Sequence, residues 1–143
     1  LLHISYENID CIWRLNFDIA VTNGYPVLEL SDTLDPKYDV KDKVQNSPDY
    51  MAIIYPAVIR EILTEISNDA DTSIDDDNWQ GQWLQLIYKK IGKKIPIKLH
   101  DESDDIHKEN LKKWISECVD EFITKLEIEK NYIDYMERYQ YND

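Results

Sequence analysis

The strongest constraint in this chain is the alternation over residues 12–31. Trp13, Leu15, Phe17, Ile19 and Val21 take the odd positions, separated by Arg14, Asn16, Asp18 and Ala20. A two-residue period sends alternate side chains to opposite faces of a strand, so the segment must bury one face and leave the other polar. Asn23-Gly24 follows, and both residue types tolerate the positive φ that a type I′ hairpin turn requires. With those two as the loop, Thr22 pairs with Tyr25, and the numbers of every cross-strand pair sum to 47. Ile19 then faces Leu28 and Phe17 faces Leu30, so the two strands agree on which face is apolar. Pro26 opens the return strand, a position where its missing N–H is tolerated on an edge.

Beyond the hairpin the pattern turns helical. Residues 32–46 are polar, contain Pro36, and read as a connecting loop. Ser47 suits an N-cap, Pro48 the first helical position, and Asp49 the positive end of the helix dipole. Apolar residues at 51, 54, 55, 58, 59, 62, 63 and 66 form a broad stripe, which Pro56 is expected to break. An acidic loop over 68–77 leads to Trp79, Trp83, Ile87 and Ile91 at four-residue spacing, with Gly92 where a left-handed C-terminal residue belongs. Residues 95–99 alternate as a short edge strand. Ser103 caps a further helix, with Asp104 and Asp105 in its first turn. Leu111, Ile115, Cys118, Phe122, Leu126, Ile133 and Met136 continue that helix to about Tyr139. Unbroken, it would be roughly 50 Å long, more than a small core needs, so part of it is expected to pack on a partner. The fold class is therefore α+β: an N-terminal antiparallel hairpin joined by further strands, packed by three to four helices, with a long C-terminal helix.

Composition limits the chemistry. At 143 residues and 43% hydrophobic content the chain suits a single domain with a real core. It opens on Leu1 without a basic leader and holds no run of about 18 apolar residues. We read it as a cytoplasmic piece of a longer chain that does not enter a membrane. Only three glycines occur, which excludes P-loops, dinucleotide fingerprints and nucleophile elbows. Two distant cysteines, Cys11 and Cys118, make neither a zinc motif nor a disulfide framework. The net charge of −13 is uneven: residues 1–88 carry 5 basic and 16 acidic side chains, residues 89–98 carry five Lys and no acid, and residues 99–143 carry 6 against 13. A mostly acidic surface repels phosphate backbones, so direct nucleic-acid binding is disfavoured.

Several constellations carry candidate chemistry. The hairpin register sets Asp18 directly opposite Glu29 on the polar face, and like charges so placed destabilise a sheet unless something neutralises them. A Mg²⁺ ion would do so. The pair resembles restriction-endonuclease-type active sites, in which an Asp on one strand is followed by Glu-x-Lys on the next. Ser31 stands here where that pattern has Lys, and Arg14 is the nearby alternative source of neutralisation. Asp69, Asp71, Ser73, Asp75 and Asp77 follow an EF-hand-like spacing, but Ile74 and Gln80 replace its defining Gly and Glu. His100, Asp101, Glu102, Asp104, Asp105 and His107 cluster, although helix N-terminal preference accounts for the carboxylates. Lys89, Lys90, Lys93, Lys94 and Lys98 form a basic patch beside a helix C-terminus, where cations complement the dipole. Tyr132, Tyr135, Tyr139 and Tyr141 crowd too many rings for one buried stripe, and tyrosine favours interfaces.

The leading expectation is a non-catalytic protein–protein interaction or assembly domain with no cofactor. It would contact a protein partner or a second copy through the C-terminal helix. A composition heavy in Ile, Lys, Asn, Asp and Tyr suggests a bacterial complex. The alternatives are a metal-dependent nuclease-like domain at Asp18 and Glu29, and an acidic nucleic-acid mimic.

Overall fold

The computed structural model describes residues 2–22, 24–34, 37–69 and 72–140, with the backbone alone at Val21, Glu129 and Gln140. Along the chain run β1 (His3–Glu7), β2 (Trp13–Asn16), a single helical turn α1 (Ile19–Thr22), β3 (Val27–Ser31) and a 3₁₀ turn (Asp32–Leu34). Five longer helices follow: α2 (Val40–Asn46), α3 (Pro48–Ser67), α4 (Trp79–Ile91), α5 (Asp104–Lys125) and α6 (Ile128–Gln140). The class is α+β, and the chain divides into two compact units. One comprises Leu1–Ile54 with Lys130–Asp143, and the other Tyr55–Glu129.

The first unit is built on a three-stranded mixed sheet of order β1-β3-β2. Strand β1 pairs with β3 in parallel, Ile4 with Leu28 and Tyr6 with Leu30. Strand β2 pairs with β3 antiparallel, Trp13 with Leu30 and Leu15 with Leu28. One face therefore carries Ile4, Tyr6, Trp13, Leu15, Leu28 and Leu30, and the last two are wholly buried. Each β2–β3 pair sums to 43, whereas the sequence pattern alone gives 47. The four-residue shift is even, so it preserves both faces while changing every partner. Local capping drives it. The Asn16 side chain accepts a hydrogen bond from the Asp18 amide at 2.9 Å, and Asp18 accepts one from the Ala20 amide at 3.2 Å. The turn α1 forms on these bonds, and the longer loop displaces the two-residue turn at Asn23-Gly24, of which Asn23 lies outside the described residues. Ile19 is left half-exposed as a result. Pro26 is fully buried and stands just before a central strand, not on an edge.

Two further corrections fall in this unit. Residues 40–46, expected in a loop, form α2, because Val40 and Val44 share one helical face and are both buried. Strand β1 is also new, and its Tyr6 hydroxyl accepts a hydrogen bond from the Lys41 amide at 2.9 Å, tying the sheet to the start of α2.

Helix α3 passes through Pro56 without the expected break. A proline inside a helix costs about 3 kcal/mol. Beyond it, Val58, Ile59, Ile62, Leu63 and Ile66 are all buried, at about 1.5–3 kcal/mol each, which outweighs the loss. The division between the two units falls at this same turn.

The second unit packs these residues with Trp79, Trp83, Leu84 and Ile87 of α4 and Trp114, Ile115, Cys118, Val119 and Phe122 of α5, all buried. Asn78 caps α4 by accepting from the Gly81 amide at 2.9 Å, and Gly92 ends it at φ 71°. Ser103 caps α5, accepting from the Ile106 amide. The expected single C-terminal helix is two helices, interrupted at Leu126–Glu127, where Glu127 adopts φ 55°. The apolar pattern explains the break. Ile128 is buried, yet on a continuous helix it would lie about 200° around the axis from Leu126. Only an interruption places it inward. The expected edge strand at 95–99 is absent: residues 92–99 run without helix, strand, turn or bend, and among the described residues no strand pairs with them.

Candidate functional site

The polar face of the sheet settles the first candidate geometry. Arg14, not Asp18, stands opposite Glu29, and its Nε lies 3.0 Å from Glu29 Oε1. Glu29 is 7% exposed, so its charge requires a partner, and Arg14 provides it across the strand. Asp18 is instead engaged in the α1 turn. The juxtaposition that motivated a Mg²⁺-holding pair is therefore not formed. Among the described residues no three His, Cys, Asp or Glu side chains gather as a metal-holding set. On the same face, His3, Ser5, Glu7, Asn16 and Glu29 line an open cleft of about 480 Å³, with the His3 and Tyr25 rings 5.3 Å apart at its edge.

In the second unit the lysine island divides by role. Lys93 lies 3.2 Å from Glu117 and 3.3 Å from Glu121, and those hydrogen bonds hold its ammonium above the ordinary lysine value. This fastens the end of α4 to α5. Lys98 is ion-paired with Asp104, and the hydrogen bond from Lys98 keeps the Asp104 carboxyl below its usual range. Lys89 and Lys90 sit exposed in the last turn of α4, where the dipole favours them. Lys94 differs. Its ammonium rests 5.1 Å from the centre of the Tyr88 ring, and no carboxylate of the described residues lies within ion-pair distance.

Between Lys93 and Leu99 the chain forms a ledge. Ile97 is 82% exposed and Leu99 63%, and Ile106 at the start of α5 is also exposed. On one side lies a cleft of about 570 Å³, walled by Thr72, Ser73 and Ile74, by Ile95, Pro96 and Ile97, and by His107 and Leu111 of α5, with Asp69, Lys94, Lys98 and Asp104 as its charged groups. On the other side, Lys94, Pro96, Asn110, Lys113 and Trp114 line a shallower recess of about 340 Å³. Apolar walls with a few polar groups are what a binding cleft requires. Beneath the larger cleft, Glu102 Oε1 approaches His107 Nδ1 at 3.5 Å, and Asn110 donates to Glu102 Oε2 at 3.4 Å. Spacing in the sequence brought these acidic and histidine residues together, but could not select which of them meet. Lys113, from α5, joins the lysines in space although it lies outside their run in sequence.

The tyrosine surface falls on α6. Tyr135 and Tyr139 pack ring on ring, 4.6 Å between centroids, and Tyr139 and Ile133 are exposed. Asp49 faces Tyr135 and pushes its phenol up. Tyr132 is half-buried on the same helix, and Tyr141 lies outside the described residues. Among the described residues no helix is long and apolar enough to cross a membrane. No protein family, curated protein or solved structure matches this chain.

Proposed function

We propose that this chain is a non-catalytic protein-interaction module whose ledge at residues 94–99 receives an extended segment of a partner protein. The observation that carries the reading is the ledge itself: Ile97 and Leu99 stand in solvent on a stretch whose backbone groups from 94 to 98 have no backbone partner among the described residues. Extended segments recognise such stretches through main-chain hydrogen bonds, while pockets beside them select side chains. Fully burying the two side chains would add about 2–4 kcal/mol at about 1.5–3 kcal/mol each, scaled by their present exposure. Micromolar affinity needs about 8 kcal/mol net, so the cleft and the main chain must contribute as well. This is the energetic profile of a transient contact. The Tyr135–Tyr139 pair, half-buried at Tyr135 and exposed at Tyr139, gives α6 a second contact face, for a partner or another copy of the chain.

The test is comparative recovery of partners from the cells that express the protein, using the full chain and an Ile97→Asp, Leu99→Asp variant. Both positions are exposed, so the variant should keep its circular dichroism spectrum and melting temperature. A partner recovered with the wild type and lost with the variant supports the reading. Identical recovery by both chains refutes it.

A further inference from the structure

We infer that the segment docking on this ledge is acidic, alternating carboxylate with apolar side chains; the inference rests on the ledge as a docking surface. Three observations support it. First, residues 89–98 contain five lysines and no acid, while the remainder of a chain of net charge −13 is strongly negative. An acidic segment is repelled across most of this surface, and the repulsion reverses on the recess side of the ledge, where Lys93, Lys94 and Lys113 stand with Glu117 as the one carboxylate among the lining residues, whereas the cleft side also carries Asp69 and Asp104. Like-charge repulsion elsewhere and attraction here fix where such a segment lands. Second, Lys93 and Lys98 are already held by Glu117, Glu121 and Asp104. Lys94 lines both the cleft and the recess and rests on an aromatic ring, and among the described residues no carboxylate is ion-paired with it. Lys113 adds a second exposed cation across the recess, only 4.0 Å from Glu117 but three-quarters exposed. Third, the ledge is apolar where it is not cationic, with Ile95, Ile97 and Leu99 at alternate positions.

The backbone sets which edge is used. In the docked, extended state the N–H groups of 95 and 97 point to one side and those of 94, 96 and 98 to the other. Pro96 has no N–H, so the competent edge is that of Ile95 and Ile97. The Leu99 carbonyl already accepts from the Glu102 amide at 3.1 Å, which ends the available edge there. Carboxylates in the docked segment then meet Lys94 and Lys113, and its apolar side chains enter the cleft beside Ile97.

Fluorescence anisotropy with the full chain tests this with three labelled octapeptides: alternating Asp and Val, the same with Ser for Asp, and the same with Lys for Asp. An exposed ion pair contributes a few-fold in affinity, so two pairs favour the acidic over the Ser peptide by about tenfold. Lys94→Glu should abolish that preference and improve the Lys peptide, and Lys94→Gln should reduce it partway. Raising sodium chloride from 50 to 300 mM should narrow the gap. Equal binding of the acidic and Ser peptides, with both lost in Ile97→Asp, overturns the acidic partner and leaves the docking ledge standing. Failure of all three peptides to bind, or binding unaffected by Ile97→Asp, overturns both. An oligouridine binding more tightly than the acidic peptide also overturns the inference, because the lysines then serve phosphate.

Discussion

The cross-strand pairing of Arg14 with Glu29 can be measured directly. A double-mutant cycle uses Arg14→Met, which keeps most of the aliphatic stem, Glu29→Gln, which keeps the shape, and the two combined. Exposed ion pairs couple by about 0.2–1 kcal/mol, while breaking a buried pair costs about 3–5 kcal/mol. Here the Glu29 side chain is 9% exposed and that of Arg14 55%, so the pair lies between these regimes. We expect a coupling of about 1–2 kcal/mol, with Arg14→Met the more damaging single change because it leaves a carboxylate buried alone. In melting temperature this is a fall of roughly 3–8 °C for Arg14→Met. Urea denaturation followed by tryptophan fluorescence reads it, with Trp13 on the same strand as Arg14. A coupling below about 0.3 kcal/mol would sink the assigned register. So would an Asp18→Asn substitution that stabilises the protein only while Glu29 is present, since that is the signature of the sum-47 hairpin.

Two other predictions follow from close packing and burial. A Cβ on Gly81 would lie 2.0 Å from the Asp76 carbonyl oxygen, so Gly81→Ala forces the preceding loop away. Overpacking of this kind costs typically 1–3 kcal/mol and here more, against about 1 kcal/mol gained in helix propensity, so the net change is destabilising by about 1–3 kcal/mol. An unchanged or higher melting temperature would disprove that close approach. Burial pushes the Cys118 thiol up to about 12, whereas Cys11 is exposed. Iodoacetamide at pH 8 should therefore label Cys11 alone, as read by peptide mass spectrometry. Because the folded value lies above the unfolded one near 9, the Cys118 contribution to stability is complete below about pH 9 and fades as pH rises toward 12. Labelling of both thiols in the native protein would contradict the buried packing of α5.

What could be read from the sequence was set by period and by caps. The helix termini at Gly92 and Ser103 were legible because each depends on one residue type meeting one local geometric need. The faces of β2 and β3 were legible for the same reason, as alternation fixes parity. Register was not. Two local signals competed, a two-residue Asn-Gly turn and an Asn16-x-Asp18 helical start, and both satisfy the same parity. Only tertiary contacts decide between them, such as the burial of Leu15 against Leu28. Strand β1 and helix α2 were missed because each offers only two apolar positions, too few for a period to stand out. The break at Glu127 was present in the sequence as a phase slip between Leu126 and Ile128, but a near-heptad average across the region concealed it.

The ledge is the place where local preference and the observed structure disagree. The alternation at 95–99 is that of a strand, and among the described residues it finds no strand to join. Elsewhere an unmet local preference has a visible reason: Pro56 is overruled by a buried stripe, and the Asn-Gly turn by a better cap. At 95–99 nothing among the described residues overrules the pattern; two large aliphatic side chains stand in water beside the cleft. Exposing them forgoes stability that a polar substitution at either position would not. Departures from local consistency without an internal compensation are where function is expected to reside. The neighbouring charges point the same way. Two of the lysines in the run are committed to carboxylates of α5 and hold the second unit together, which accounts for them structurally. Lys94 is not so committed, and it is the lysine that borders the ledge on both sides. Among the described residues the strand-like segment has no sheet and Lys94 beside it has no anion, and one acidic, extended partner segment would satisfy both requirements together.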